Sequence, residues 1–245
     1  MADYLRTGAQ IAWNFPTNAA PENVLPDHTI VSLTEITPLW LIAQKIRGLI
    51  LDVDNCLMGY HGQALDDSVR EAFENLERFQ KVILSNSNDE RFRELGQIFP
   101  DIPVLRMYEG PSSSCLYRKL HEGKDYWGNS PNQFGIGAPL RTDKEKIKYE
   151  ILKGKRNVKK PDARLIEYAM AIMGIRTPCE VAMIGDRVLT DISGGNQAGC
   201  YTIQVYPPLQ HPNHPEPFGT RVIGRGVDKL VQWRGRRVIP AQDLK

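Results

Sequence analysis

The chain has 245 residues, 41% hydrophobic and 24% charged, with a formal net charge of +2, a profile that fits one folded domain with a substantial core. No apolar run approaches the ~18 residues a membrane span requires, and Met1-Ala2-Asp3-Tyr4-Leu5-Arg6 does not open a secretory leader. Cys56, Cys115, Cys179 and Cys200 stand far apart without paired spacing, which argues against a zinc site or disulfide framework and fits free thiols in a reducing compartment.

In chain order, residues 1–25 hold Pro16, Asn18 and Pro21 and read as an irregular arm, which Trp13 and Phe15 would pack down. Residues 26–45 carry Leu33, Ile36, Leu39, Trp40 and Ile42, apolar enough to lie against the core. Gly48 to Leu51 are too few and too apolar for an amphipathic helix and predict an interior parallel strand. That strand ends in Asp52 and Asp54. In such sheets ligands gather beyond the carboxyl ends of the strands, so Asp52 stands where a reaction can occur, although Asp-x-Asp alone also suits a turn. Residues 67–80 predict an amphipathic helix, with Val69, Ala72, Phe73, Leu76 and Phe79 in register.

A second strand near 81–85 ends in Ser85-Asn86-Ser87-Asn88, whose hydroxyls and amides can hold phosphate oxygens without adding charge. Asn88 also suits the cap of a helix bearing Phe92, Leu95, Ile98 and Phe99. After a strand near 102–105, a long connection leads to Lys159-Lys160-Pro161-Asp162. There a proline restricts the backbone of Lys160, and Asp162 caps a helix with Leu165, Ile166, Ala169, Ile172 and Met173 on one face. A strand near 181–185 ends in Gly185-Asp186, with Asp191 five residues on; carboxylate oxygens are the ligands Mg²⁺ prefers. Residues 194–199 are glycine-rich and precede a last strand near 201–205. The proline-rich run 207–217 suits neither helix nor sheet, and His211 and His214 lack a nearby third ligand, so they read as loop.

The modest net charge conceals an asymmetry. Residues 106–158 carry eleven basic against six acidic side chains and residues 207–245 seven against three, which leaves the remainder at −7. A basic insert and tail on an acidic core suit an anionic partner, or else a solvated face. Tyr108, Tyr117, Tyr126, Trp127 and Phe134 interleave with the insert's charges, as in membrane headgroup regions or in a small core of the insert's own.

Asp-x-Asp, then Ser, then Lys-Pro, then Gly-Asp with a second Asp five residues on, in this order, resembles the four motifs of the haloacid dehalogenase superfamily. The second Asp of the first motif resembles its phosphatases and phosphotransferases. Ile46-Arg47-Gly48 leading into Asp52, the Asp54-Asn55 pair, Ser85-Asn86-Ser87-Asn88 with Arg91, and Gly185-Asp186 to Thr190-Asp191 with Gly194-Gly195-Asn196 and Gly199 resemble the bacterial YqeG-like and mitochondrial phosphatidylglycerophosphate phosphatase subfamily.

The resemblance implies an α/β fold, a doubly wound, mostly parallel sheet with helices on both faces. It also implies an arm and lead-in over 1–45, a catalytic domain over 46–206 and a tail over 207–245. Asp52 would be the nucleophile and Asp54 the general acid and base. Ser85, Asn86 and Lys160 would bind phosphate, and Mg²⁺ would be held by Asp52, the Asp54 carbonyl and Asp186, with Asp191 close by. Two departures stand out: Cys56 replaces the usual Thr, and the 106–158 insert, a candidate cap, is long. The implied substrate is phosphatidylglycerophosphate, giving a cytoplasmic enzyme peripheral at the membrane surface, touching anionic phospholipid through its basic insert and tail. Nucleic acid is not expected as a partner. The alternatives are a phosphatase of small soluble phosphomonoesters, or a non-catalytic scaffold binding phospho-ligands or RNA, against which the intact motif set weighs.

Overall fold

The short apolar runs become the middle of one sheet. The computed structural model describes residues 21–110, 114–129, 157–208 and 225–238. Its strands are β1 (His28–Ile30), β2 (Gly48–Leu51), β3 (Gln80–Leu84), β4 (Val104–Glu109), β5 (Cys115–His121), β6 (Lys124–Gly128), β7 (Asn157–Val158), β8 (Val181–Gly185) and β9 (Tyr201–Val205). They lie in the order β1-β9-β8-β2-β3-β4-β5-β6, with β7 also paired to β4. From β1 to β4 every neighbouring pair is parallel. All four residues of β2 are buried, because both faces of a parallel sheet are covered.

Period-two alternation divides each strand between two cores. Leu49, Leu51, Ile83, Ile184 and Ile203 point to one, beside Leu41 of α1 (Pro38–Ala43), Val69 of α2 (Asp67–Asn75) and Phe92 of α3 (Asp89–Ile98). Ile50, Val82 and Met183 point to the other, under Leu165, Ile166 and Ala169 of α4 (Ala163–Met173). At the start of β2, a Cβ on Gly48 would stand 2.6 Å from Ile175 Cδ1 and 2.8 Å from Met173 Sδ, so a larger residue there would make those side-chain ends of the second core shift. Two further helices, α5 (Ser193–Gln197) and α6 (Arg225–Val238), complete the described elements.

Three expectations change. The helix expected over 67–80 stops at Asn75: tight turns follow, and Gln80 is drawn into β3 opposite Gly48. Leu39 and Ile42, expected against the core, are exposed, while Leu33 and Leu41 are the buried anchors of that segment. Residues 106–110 and 114–128 of the insert line no part of the cleft and instead extend the sheet, β4 parallel to β3 and β5 and β6 antiparallel beyond it.

Burial of Arg106 and Arg118, which face each other across β4 and β5, makes that extension possible. Both guanidiniums stack on the Phe92 ring, at 4.7 and 4.8 Å, and Arg118 also lies 4.4 Å from the Trp127 ring. Asp89 pairs with Arg106, and Asp125 accepts from Arg118. Tyr108, Leu116 and Trp127 form a small buried cluster and Tyr117 packs on Tyr168, so these aromatics build a core for the insert. The arm with Trp13 and Phe15, Phe134 and the remaining insert to residue 156, and the His211–His214 loop lie outside the described residues.

Candidate active site

Parallel topology brings the carboxyl ends of β2, β3 and β8 together, and with them Asp52, Ser85 and Asp186. The Asp52 N–H continues the ladder by donating to the Ile184 carbonyl at 2.9 Å. After Gly185 the chain enters a π-helical turn, Val188–Ile192, which swings Asp191 back over the strand end. Gly185 is required by that return, since a Cβ there would collide with the Asp191 carboxylate. Asp191 Oδ2 then accepts from the Arg187 N–H at 3.0 Å, closing the turn. Asp52, Asp186 and Asp191, all buried, present carboxylate oxygens within 4.8 Å of one another.

Lys160 is the buried counter-ion. Its Nζ lies 2.7 Å from Asp52 Oδ1 and 2.6 Å from Asp191 Oδ1. The Asn86 side chain fixes this lysine by its backbone: Nδ2 donates to the Lys160 carbonyl at 3.0 Å and Oδ1 accepts the Lys160 N–H at 2.8 Å. Asn86, expected to grip phosphate, is therefore engaged in joining the end of β3 to the Lys160 segment. Asp162 caps α4 as expected, accepting from the Arg164 N–H.

Asp54 stands apart from the three-carboxylate group. Its Oδ1 accepts from Arg91 Nη2 at 2.7 Å and from the His61 N–H at 3.0 Å. Arg91 is itself buried, also donating to the Gly62 carbonyl at 2.9 Å and to Glu94 at 3.1 Å. Asp52, Asp54, Ser85, Asn86, Lys160, Asp186 and Asp191 all line one cleft of about 670 Å³, together with Tyr60, His61, Arg91 and Arg187. All the expected site residues thus meet in a cleft of ordinary ligand-binding size.

Two family models match the chain on either side of the insert. One, described as mitochondrial PGP phosphatase, matches residues 14–98, which contain Asp52, Asp54 and Ser85. The other, described as HAD-hydrolase-like, matches residues 157–207, which contain Lys160, Asp186 and Asp191. Together these matches support a phosphatase of the haloacid dehalogenase superfamily, of the YqeG and mitochondrial PGP phosphatase type. It is similar to "Probable phosphatase YqeG" of Bacillus subtilis, 23% identical over 216 residues, covering 85% of this chain and 95% of the relative. Among solved structures, an uncharacterized Listeria monocytogenes protein is 16% identical with a TM-score of 0.40, covering 70% of this chain and 85% of the other. NagD of Escherichia coli is 16% identical with a TM-score of 0.38, covering 69% and 90%.

The electrostatics of the cleft follow from crowding. Burial pushes the Asp52 carboxyl up to about 7, with Lys160 opposing and Asp191 adding to the rise. Burial, then Asp52 and Asp191, hold the Asp186 carboxyl well above its ordinary value. Burial would lower the Lys160 ammonium, yet Asp191 and Asp52 together raise it, so it stays charged. Burial and then Asp52 raise the Cys56 thiol, which keeps it protonated and unfit as a nucleophile. Among the described residues Asp186 Oδ2 is buried without a hydrogen-bond donor, with Arg225 3.8 Å away, and the three convergent carboxylates outnumber Lys160 and Arg225. Hard oxygen donors in negative excess fit a divalent cation such as Mg²⁺.

Sequence reasoning gave two contributors no role in the site. Arg91, named above only for the family resemblance, shares a helix face with Leu95 and Ile98, a signal that it points inward. The other is α6, beyond both family matches. Asp228 of α6 pairs with Arg187 at 3.2 Å, Arg225 approaches Asp186 Oδ2 at 3.8 Å, and Val231 packs on Val188 and Leu189. Gln232 donates to Gln204 Oε1 at 2.9 Å, and Gln204 reaches the Asp186 carbonyl. No local sequence pattern announces such long-range contacts.

Proposed function

We propose that the protein is a Mg²⁺-dependent phosphomonoesterase that works through an aspartyl-phosphate on Asp52, with phosphatidylglycerophosphate as substrate and phosphatidylglycerol and phosphate as products. The observation that carries the chemistry is the division of labour between two carboxylates two residues apart. Asp52 Oδ1 is held by Lys160, and Asp54 Oδ1 is held by Arg91 and the His61 N–H. Each is locked through one oxygen, and we assign the other to reaction.

Asp52 Oδ2 attacks phosphorus in line, the P–O bond to the leaving alcohol breaks, and the proton on Asp54 Oδ2 passes to that alcohol. Asp54, now ionised, takes a proton from the water that attacks the aspartyl-phosphate, which returns phosphate and free Asp52. Ser85 and Lys160 meet the phosphoryl oxygens as charge spreads over them, and Asn86 keeps Lys160 in place. When bound by Asp52, Asp186 and the Asp54 carbonyl, with Asp191 beside them, Mg²⁺ would offset the negative charge that the carboxylates and phosphate bring together.

The substrate assignment is supported by the PGP phosphatase match over residues 14–98 and by the basic insert and tail. Among the described residues no helix is long and apolar enough to cross a membrane. The protein would therefore meet its lipid substrate from the surface. The test is release of inorganic phosphate from phosphatidylglycerophosphate in vesicles, beside sugar and nucleotide phosphates, with and without chelator. We expect Mg²⁺-dependent release, fastest on the lipid. Higher kcat/KM on a soluble phosphomonoester would overturn the substrate, and full activity in chelator would overturn the metal.

A further inference from the structure

The two faces of α6 have opposite characters. The inward face holds Val231 and Asp228, both buried, the latter in its pair with Arg187. On the outward face, Leu230 and Trp233 are each 49% exposed although both are large and apolar. Lys229, between them and the body of the protein, extends its ammonium over the Tyr206 ring at 5.9 Å; that ring is 44% exposed. The Tyr206 N–H donates to the Ile30 carbonyl, which puts it beside Val31, 57% exposed. Lys229 thus links the exposed apolar side chains of α6 to those at the β1–β9 edge.

Charge indicates what covers these side chains. Within α6 the basic residues are Arg225, Lys229, Arg234, Arg236 and Arg237, and the lone acid, Asp228, is turned inward. A stable protein partner needs roughly 800 Å² per side, more than a few half-exposed side chains supply. Tryptophan and leucine set among lysine and arginine are instead the composition of helices that lie in the headgroup layer of anionic membranes, where shallow apolar insertion and charge act together.

We propose that α6 is an interfacial helix that seats the protein on an anionic lipid surface through Leu230, Trp233 and Tyr206, with Lys229 on the phosphates. Because the same helix starts at Asp186, docking holds the cleft beside the surface from which a phospholipid headgroup must enter. The benefit to catalysis rests on the phospholipid reading above; the docking itself does not.

The experiment is co-sedimentation of the full chain with phosphatidylcholine vesicles, with and without phosphatidylglycerol, for the native protein, Lys229→Glu and the double variant Leu230→Ser/Trp233→Ser. All substitutions are at the surface, and hydrolysis of a soluble phosphomonoester reports that each variant folds. We expect the native protein to bind only the anionic vesicles and to release in high salt. The double variant should bind roughly tenfold more weakly, with soluble hydrolysis unchanged. Fluorescence of Trp233, isolated by comparison with Trp233→Phe, should be quenched by brominated lipid. Undiminished binding of the double variant, or no quenching of Trp233, overturns the proposal. So does a native dimer that the double variant converts to monomer, which would make this face a protein interface. Vesicle binding as expected without hydrolysis of phosphatidylglycerophosphate would sustain the docking helix and discard the substrate.

Discussion

The parallel and antiparallel halves of the sheet divide the labour of the site. In the parallel half, β2, β3 and β8 each end in a residue that faces the cleft, Asp52, Ser85 and Asp186, because their carboxyl ends coincide. Strands β5 and β6 contribute no cleft residue. From the antiparallel edge, Arg106 on β4 instead reaches back to the Ser87 and Asn88 carbonyls, and Tyr108 to Asp89, bracing the loop after β3 from behind. One half supplies the cleft with its strand-end carboxylates and hydroxyl, and the other holds a loop in place. Substitutions should therefore fail differently on the two sides.

The sharpest break is Asp52→Asn, which keeps the shape and removes the proposed nucleophile. We expect kcat to fall at least about a thousandfold with the melting temperature preserved, read by phosphate release and thermal denaturation. Retention of activity would refute the covalent route. Next is Arg91→Met, which frees Asp54 Oδ1. On an alkyl phosphate kcat should fall about a hundredfold, the scale of general acid catalysis, but less on p-nitrophenyl phosphate, whose leaving group needs little protonation. Equal losses on both would make Arg91 a purely structural residue. On the antiparallel side, Arg106→Met should raise KM and lower kcat/KM about tenfold while destabilising the fold, because the Ser87 carbonyl loses its donor and Asp89 its partner. A change in stability alone would separate the brace from the cleft.

Acidity sharpens the same contrast in the metal-free protein. Asp52 rises from 3.8 to about 7 on folding, so the folded state binds more protons than the unfolded state between those values. The resulting stability is complete below about pH 4 and is lost as pH rises through about 7. In chelator, the melting temperature should fall over that window, and Mg²⁺ should restore more of it at the alkaline end. A flat or rising profile would contradict the crowding of the three carboxylates. The smallest effect belongs to Cys56→Thr, which should stay within roughly tenfold of native kcat/KM, or about 1.4 kcal/mol of barrier. A loss comparable to Asp52→Asn would give the thiol a part in the reaction.

What was legible in the sequence follows the same division. Short runs such as Gly48–Leu51 and Val181–Gly185 announce parallel strands because burial on both faces leaves no alternation to misread. The polar residues that follow them needed only the topology to meet in one cleft. Arg106 and Arg118 were not legible as core, since a guanidinium becomes an interior group only through the Phe92 and Trp127 rings and the Asp89 and Asp125 carboxylates. The 106–158 stretch read as an insert from its length alone, with no sign that its first strands continue the sheet. Likewise α6 read as a basic tail, because its tie to Asp186 depends on contacts between residues forty positions apart in sequence.

The cluster of Val24, Val188, Leu189 and Val231 has a consequence for the order in which the protein is made. A chain emerging from its amino end can lay down β2, β3 and β8 in turn, yet the turn after Gly185 waits for its outer packing until Val231 has been synthesised. An incomplete chain would carry every motif residue and still leave that turn unsealed. Competence arrives late, with the closing of a contact between the first described turn and the last helix.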